Sequence, residues 1–207
     1  MTVSVESWIE LIDDLRSRGI TFAPGLSLDE ILRAEKEFGF QFPPDLRSFL
    51  QTALPCGEGF PDWRSIDDVL AEWLQWPLEG ILFDIEHNDF WLPEWGLRPT
   101  QLAGAFDRVH GLIRSAPKLI PIYRHRMIPD EPNCSGNPVF SVHQTDIICY
   151  GANLRDYVER EFLADKLQTN EPPSSARNIR FWDVDRFQEV RWANGSCIFD
   201  NRKGILP

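Results

Sequence analysis

The chain has 207 residues, of which 43% are hydrophobic, and this is enough for one or two domains with a substantial core. Its net charge of −11 is concentrated in one segment, because residues 58–96 contain ten acidic residues and one basic residue. A negative field of this kind repels nucleic acid and anionic membranes and attracts basic proteins, so neither direct nucleic-acid binding nor membrane binding is expected.

The first two predicted elements are helices. An apolar stripe over residues 5–17 predicts the first of them. Ser27 and Glu30 have the spacing of a capping box, which satisfies backbone N–H groups at a helix start, so the second helix is predicted to begin at Leu28. Gly39 supplies the left-handed conformation that ends a helix, which makes this second helix short.

An aromatic and proline-rich link follows the second helix. Phe40 and Phe42 alternate along an extended segment, and Pro43 and Pro44 cannot continue a helix but can open one. Asp45 places a negative charge where the dipole of a new helix is positive. We therefore predict a third helix directly after the prolines.

The acidic segment is predicted to contain a helix and then a strand. Ser65 is the expected cap of the helix, and Pro77 is expected to stop it. Partial alternation over residues 81–86 favours a strand that ends in a turn at residues 88–89. The acidic side chains are thus expected on two different elements.

The second half of the chain changes to a mixed pattern. Gln144 and Thr145 alone separate two short segments rich in β-branched and aromatic residues, which favours an antiparallel hairpin. The predicted fold class is α+β, a small mostly antiparallel sheet with helices packed against it. The predicted elements of this half are a helix at 99–115, strands at 119–123, 139–143 and 146–150, and a helix from Asn153 to Phe162.

The predicted domain organisation has three parts. Residues 1–167 form one domain that includes the first helix. Residues 168–178 are rich in proline, serine and polar residues, which is typical of a flexible linker. Residues 179–207 are too apolar to remain separate, so this C-terminal extension is expected to dock on the domain.

Several blocks resemble one family in their order and spacing. They are an acidic helix that ends in glycine, then FPPDLR at 42–47, KLIPIY at 118–123, NPVFSVHQTDIICYG at 137–151 and NLRDYVEREF at 153–162. Together they resemble the SUKH superfamily, whose namesakes are the fungal Smi/Knr cell-wall synthesis regulators. The resemblance covers most of residues 25–163 and implies an α+β domain built around a small antiparallel sheet.

The resemblance also implies a function without catalysis. Bacterial SUKH proteins are regarded as immunity proteins that bind and neutralise toxins, many of them nucleases. An acidic surface suits this role, because it can cover the basic, phosphate-binding surface of a nuclease. Charge and aromatic character, not the family, select the expected partner-binding residues, which are Asp62, Trp63, Asp67, Asp68, Glu72, Asp84, Glu86, Asp89 and Trp91.

Two alternatives remain open. The first is a regulatory or scaffold module of the cell-wall-regulator type. The second is a small-ligand sensor, because Arg124, His125 and Arg126 at a strand end, with Asp146, can converge on a carboxylate or phosphate. In the competing interpretation of this cluster, an arginine pairs internally with Asp130, Glu131 or Asp146 and fixes the long loop that is expected to follow.

Neither a catalytic site nor a cofactor is predicted. Glu86 and His87 lie near other carboxylates but lack the spacing of a metal site. Ser141 and His143 lack the third group that would orient a base towards a nucleophile. The four cysteines are far apart and include no CxxC pair, so neither zinc nor a disulfide framework is expected.

The start of the chain favours a cytoplasmic location. The first 19 residues are acidic and amphipathic, whereas a secretory signal has a basic start and an apolar centre. The chain also lacks an apolar run of about 18 residues, the length that a membrane-spanning helix requires.

Overall fold

The computed structural model describes residues 5–164 and 176–193. In these residues the strands form a two-stranded sheet and a four-stranded sheet, both antiparallel, and the strands of the larger sheet lie side by side in their order along the chain. Helices pack against these sheets, which confirms the predicted α+β class. The elements are α1 (Val5–Ser17), β1 (Thr21–Pro24), α2 (Leu28–Phe38), α3 (Pro44–Thr52), β2 (Ala53–Cys56), α4 (Asp68–His87), α5 (Leu102–Ile113), β3 (Leu119–Tyr123), β4 (Arg126–Pro129), β5 (Val139–His143), β6 (Asp146–Gly151), α6 (Leu154–Phe162) and α7 (Val184–Ala193).

Short-range signals determine where several helices begin and end. The Ser27 hydroxyl accepts from the Glu30 amide at 3.2 Å, and the Glu30 carboxylate accepts from the Ser27 amide at 2.7 Å. Gly39 follows α2 with φ of 64°, and Pro44 opens α3. The Asn153 side chain accepts from the first turn of α6. These starts and stops are the predicted ones.

The four-stranded sheet is covered on both faces. Side chains alternate along each strand, so Ile120, Ile128 and Val139 lie on one face, whereas Met127 and Phe140 lie on the other. The first face packs against α1, α2, α3 and α6. The second face packs against α4, α5 and α7, and two apolar clusters therefore enclose one sheet.

Helix α4 occupies the segment for which a helix and a strand were predicted. The prediction of a Ser65 cap, a stop at Pro77 and a strand at 81–86 is wrong. Asp67 caps α4, since its carboxylate accepts from the Leu70 amide at 3.0 Å, and the helix continues to His87. Pro77 lies inside the helix and is buried.

Tertiary contacts explain why α4 continues past residues that usually end a helix. A Cβ on Gly80 would lie 2.6 Å from the Cα of Gln144, so the glycine lets α4 approach the β5–β6 turn closely. The indole of Trp73 donates to the Arg124 carbonyl at 2.8 Å in the β3–β4 turn. Burial against both hairpin turns offsets the hydrogen bond that Pro77 removes from the helix.

The segment after β3 also differs from the prediction. Arg126 begins β4, and Arg124 and His125 form the tight turn of a β3–β4 hairpin. Arg124 has φ of 48° in this turn. The long loop therefore starts after Pro129, and the prediction that it directly follows the Arg-His-Arg sequence is wrong.

The C-terminal segment packs on the second face of the sheet. Trp182 is buried and donates its indole N–H to the Pro117 carbonyl at 2.7 Å. Phe187 of α7 is buried against Phe90, with ring centroids 5.6 Å apart. Most of the predicted linker at 168–178, together with the end of the chain at 194–207, lies outside the described residues. The division into domain, linker and extension stays a prediction.

Candidate functional site: the outward side of helix α4

One side of α4 carries a row of carboxylates. At 3.6 residues per turn, Asp68, Glu72, Glu79 and Glu86 lie within about 40° of one another around the helix axis. All four are exposed, and the row extends over about 27 Å at 1.5 Å per residue. Within the described part of the chain, none of the four forms an ion pair. We call these four residues the acidic stripe.

Asp84 lies on the opposite side of the same helix. Its side chain is 1% exposed, and one carboxylate oxygen accepts from the Thr145 amide at 2.9 Å and from the Thr145 hydroxyl. The other oxygen accepts from the Asn88 side-chain amide at 2.6 Å. Asp84 thus fixes the β5–β6 turn to α4, and its burial corrects the prediction that it contacts a partner.

Three other predicted acidic residues lie near the ends of α4 and are exposed. Asp67 is the cap of the helix, and the Asp62 carboxylate accepts from the backbone of Arg64 and the hydroxyl of Ser65 in the preceding loop. Asp89 follows the helix and pairs with Arg98 at 3.0 Å, although its side chain is 90% exposed. These residues add negative charge near both ends of the acidic stripe, and each also stabilises local structure.

The predicted tryptophan anchors are not exposed aromatic residues. Trp63 is 1% exposed and packs against Phe40 and Phe42, with centroids 5.8 and 5.0 Å away, so its assignment to a binding surface was wrong. Trp91 is half-buried and donates to the Gly96 carbonyl at 2.7 Å.

The exposed apolar residues on α4 are instead Phe83, at 45% exposure, and Val69, at 66%. Sequence reasoning missed both of these residues, and it also left Glu79 out of the binding set. A helical period carried across Pro77 would have found Glu79, since positions 68, 72, 79 and 86 repeat at about whole numbers of turns.

The Arg-His-Arg sequence forms a second polar cluster, at the β3–β4 turn. Arg126 donates to the Ser141 hydroxyl at 2.7 Å and to the Glu161 carboxylate at 3.1 Å, and it also contacts the His125 ring. Its guanidinium lies 3.9 Å from the centre of the Tyr150 ring. Arg126 therefore does pair internally, and its partner is Glu161 on α6. The predicted partners were Asp130, Glu131 or Asp146.

The other members of the cluster do not converge on one point. Burial lowers the pKa of His125 from 6.5 to about 4, with smaller contributions from the charges of Arg126, His143 and Arg124. The exposed Arg124 lies over the Tyr123 ring, 5.1 Å from its centroid. Asp146 accepts instead from Gln188 of α7 at 2.8 Å. The structure thus engages Arg126 and Asp146 in separate internal contacts.

The described residues contain no group of three or more histidine, cysteine, aspartate or glutamate side chains placed to hold a metal ion. Cys56, Cys134 and Cys149 are free thiols, and burial raises the pKa of Cys149 to about 11, which keeps that thiol protonated at neutral pH. Among these residues, no helix is long and apolar enough to cross a membrane.

The fold and the order of its elements define an α+β domain of the kind that the sequence resemblance implies. The profile of the SMI1 / KNR4 family (SUKH-1) matches residues 25–169, which is more than half of the chain. The chain belongs to this family, and the resemblance stated from its sequence is confirmed. Comparisons with curated proteins and with solved structures gave no match. Helices α1 and α7 lie outside the matched residues.

Proposed function

We propose that this chain is a non-enzymatic protein-binding domain that recognises a basic partner through the acidic stripe. The observation that carries the proposal is the position of four exposed carboxylates on one side of one helix. Exposed Val69 and Phe83 lie beside them on α4. Carboxylates steer a basic partner and speed its encounter, whereas apolar side chains supply the area that holds it.

A toxin of the nuclease type is the partner that this surface fits best. A protein that binds nucleic acid presents lysine and arginine side chains to phosphates, and a row of carboxylates can occupy the same groups. Membership of the SUKH family supports an immunity role of this kind. The encounter would take place in the cytoplasm, and the bound domain would block access of nucleic acid to the toxin.

A regulatory module would use the same surface for a different basic protein, so the identity of the partner separates these two functions. The Arg126 cluster supports no separate ligand-binding function. The Arg126 guanidinium already contacts Ser141, Glu161 and the Tyr150 ring. Asp146 already accepts a hydrogen bond from Gln188 of α7.

The test is an affinity pull-down from lysate of the source organism with three forms of the protein. The first is the wild type, and the second, the stripe variant, carries Glu72→Lys, Glu79→Lys and Glu86→Lys. The third, the charge control, makes the same change of net charge on α1, α2 and α7. Its substitutions are at exposed acidic positions: Glu10→Lys, Glu37→Lys and Asp185→Lys.

The expected result is a basic, nuclease-like protein that the wild type and the charge control capture at low salt and release as salt rises. The stripe variant should not capture it. Capture of that protein by all three forms would contradict the stripe as the binding surface. A captured regulatory enzyme or cell-wall protein in place of a toxin would contradict the immunity role.

A further inference from the structure

A groove of about 410 Å³ lies beside the acidic stripe, between α4 and α5. Helix α4 contributes Ala71, Leu74 and Leu78 to its wall, and α5 contributes Ile113. Buried Leu119 and Trp182 also line the groove. Trp182 lies after the family-matched residues 25–169. The C-terminal segment therefore supplies part of the groove wall that the matched residues do not.

The groove and the stripe occupy neighbouring sides of one helix. At 100° per residue, Ala71 and Leu78 lie about a quarter of a turn from the middle of the stripe, and Leu74 lies more than a third of a turn from it. Gln75 is exposed, lines the groove and lies on the same side of α4 as Glu72 and Glu79. None of the stripe carboxylates lines the groove, so a molecule in the groove reaches them with long side chains that extend past Gln75.

The edge of the groove away from the stripe is basic. Arg114 follows α5, Lys118 precedes β3, and both are exposed and line the groove. The Lys118 ammonium group donates to the carbonyls of Phe38 and Gly39 at 2.7 and 2.8 Å, which holds it at this edge. The groove thus has an apolar centre and one basic edge, and the acidic stripe lies outside it, beyond Gln75.

This pattern fits a peptide helix better than a small molecule. A small-ligand site needs polar groups inside the cavity to orient the ligand. Among the lining side chains that the structure describes, Gln75, His110, Arg114 and Lys118 are all exposed, and the indole N–H of Trp182 already donates to Pro117. The α4 wall from Ala71 to Leu78 is about 10 Å long, which matches two turns of a docked helix.

We propose that this groove binds an amphipathic, lysine-rich helical segment of the partner protein. Apolar side chains of that segment, at spacings of three and four residues, enter the groove, and its lysines meet the acidic stripe. The proposal rests on the proposed function, because the stripe supplies the complementary charge. It adds an apolar anchor and an orientation, with the basic flank of the segment against α4 and away from Arg114.

Two labelled synthetic peptides of about 18 residues, long enough to form a helix, test the groove. Both contain the same leucines and lysines. One has leucine at helical spacing, and the other has a scrambled order without an apolar side. Fluorescence anisotropy measures their binding to the wild type, the stripe variant, Ala71→Trp, which fills the groove, and Ala103→Trp, the same substitution at an exposed α5 position that does not line the groove.

The amphipathic peptide should bind the wild type about tenfold more tightly than the scrambled one. Ala71→Trp should remove that difference, Ala103→Trp should keep it, and the stripe variant should weaken binding of both peptides. Thermal unfolding verifies that each variant folds. Gln75→Trp, at an exposed position of the rim, replaces Ala71→Trp if that variant does not fold.

Equal affinity of the two peptides, unchanged by Ala71→Trp, would overturn the groove proposal. If both peptides nevertheless bound the stripe variant more weakly than the wild type, the proposed function would stand although the groove proposal had failed. Failure of the amphipathic peptide to bind the wild type would also overturn the groove, and the pull-down would then decide on the stripe independently. Unchanged affinity of the amphipathic peptide for the stripe variant would contradict the assigned orientation.

Discussion

Asp84 and Glu86 lie two residues apart on α4, and the helix places them in opposite environments. Asp84 is 1% exposed and accepts hydrogen bonds from Thr145 and Asn88, whereas Glu86 is exposed. The inward carboxylate therefore contributes to the stability of the fold, and the outward one is available to a partner. Position around the helix axis, more than composition, separates these two roles.

Removing the inward carboxylate should produce the largest effect. We expect Asp84→Ala to lower the free energy of unfolding by about 3 kcal/mol, because it leaves the buried Thr145 amide and hydroxyl without their acceptor. Glu86→Ala is the matched control and should change stability by less than about 0.5 kcal/mol. Urea unfolding measures both. Similar losses in the two variants would remove the distinction between the two sides of α4.

A methyl group on the inward side should also destabilise the protein. We expect Gly80→Ala to cost about 2 kcal/mol, since its Cβ would lie 2.6 Å from the Gln144 backbone. Gly111→Ala in α5 meets no atom within 4 Å and should stabilise the protein by about 0.5–1 kcal/mol through helix propensity. If thermal unfolding showed that both substitutions stabilise the protein, the close contact of α4 with the β5–β6 turn would be refuted.

His125, in the Arg-His-Arg sequence at the β3–β4 turn, should make the stability of the protein depend on pH. The pKa of His125 is lowered from 6.5 to about 4, so the unfolded chain takes up its proton before the folded chain does. The stability of the wild type should be complete above pH 6.5 and fall as the pH decreases towards about 4. Relative to His125→Asn, the loss should be about 1 kcal/mol after allowance for partial exposure. Parallel stability curves of the two proteins over this range would contradict the assignment.

The outward side should tolerate substitution. Each of Glu72→Lys, Glu79→Lys and Glu86→Lys should change the free energy of unfolding by less than about 0.5 kcal/mol, because all three side chains are exposed. Urea unfolding of the single variants and of the stripe variant measures this. A loss of several kcal/mol for any single substitution would mean that the stripe stabilises the fold.

Short-range chemistry made much of the fold predictable. The Ser27–Glu30 capping box and the Asn153 cap each act within three residues along the chain, and the β5–β6 hairpin follows from its two-residue turn. Signals of this length do not depend on the rest of the fold, so a local pattern was sufficient to find them.

Helix α4 was not predictable in the same way. Pro77 and Gly80 usually indicate the end of a helix, and the contacts that retain them here come from hairpin turns far along the chain. This error in secondary structure also led to errors in the predicted binding residues. The concentration of charge was visible in the sequence, but the direction of each carboxylate depends on the phase of one long helix. Trp63 was misassigned because its neighbours Phe40 and Phe42 meet it only in the folded protein.

The central claim is that the acidic stripe steers a basic partner to α4. The most direct measurement is the association rate of the captured partner with the wild type, the stripe variant and the charge control, at low and at moderate salt. At low salt we expect the stripe variant to associate at least about tenfold more slowly, with a weaker salt dependence, and the charge control to match the wild type. Equal rates for the wild type and the stripe variant would contradict the claim.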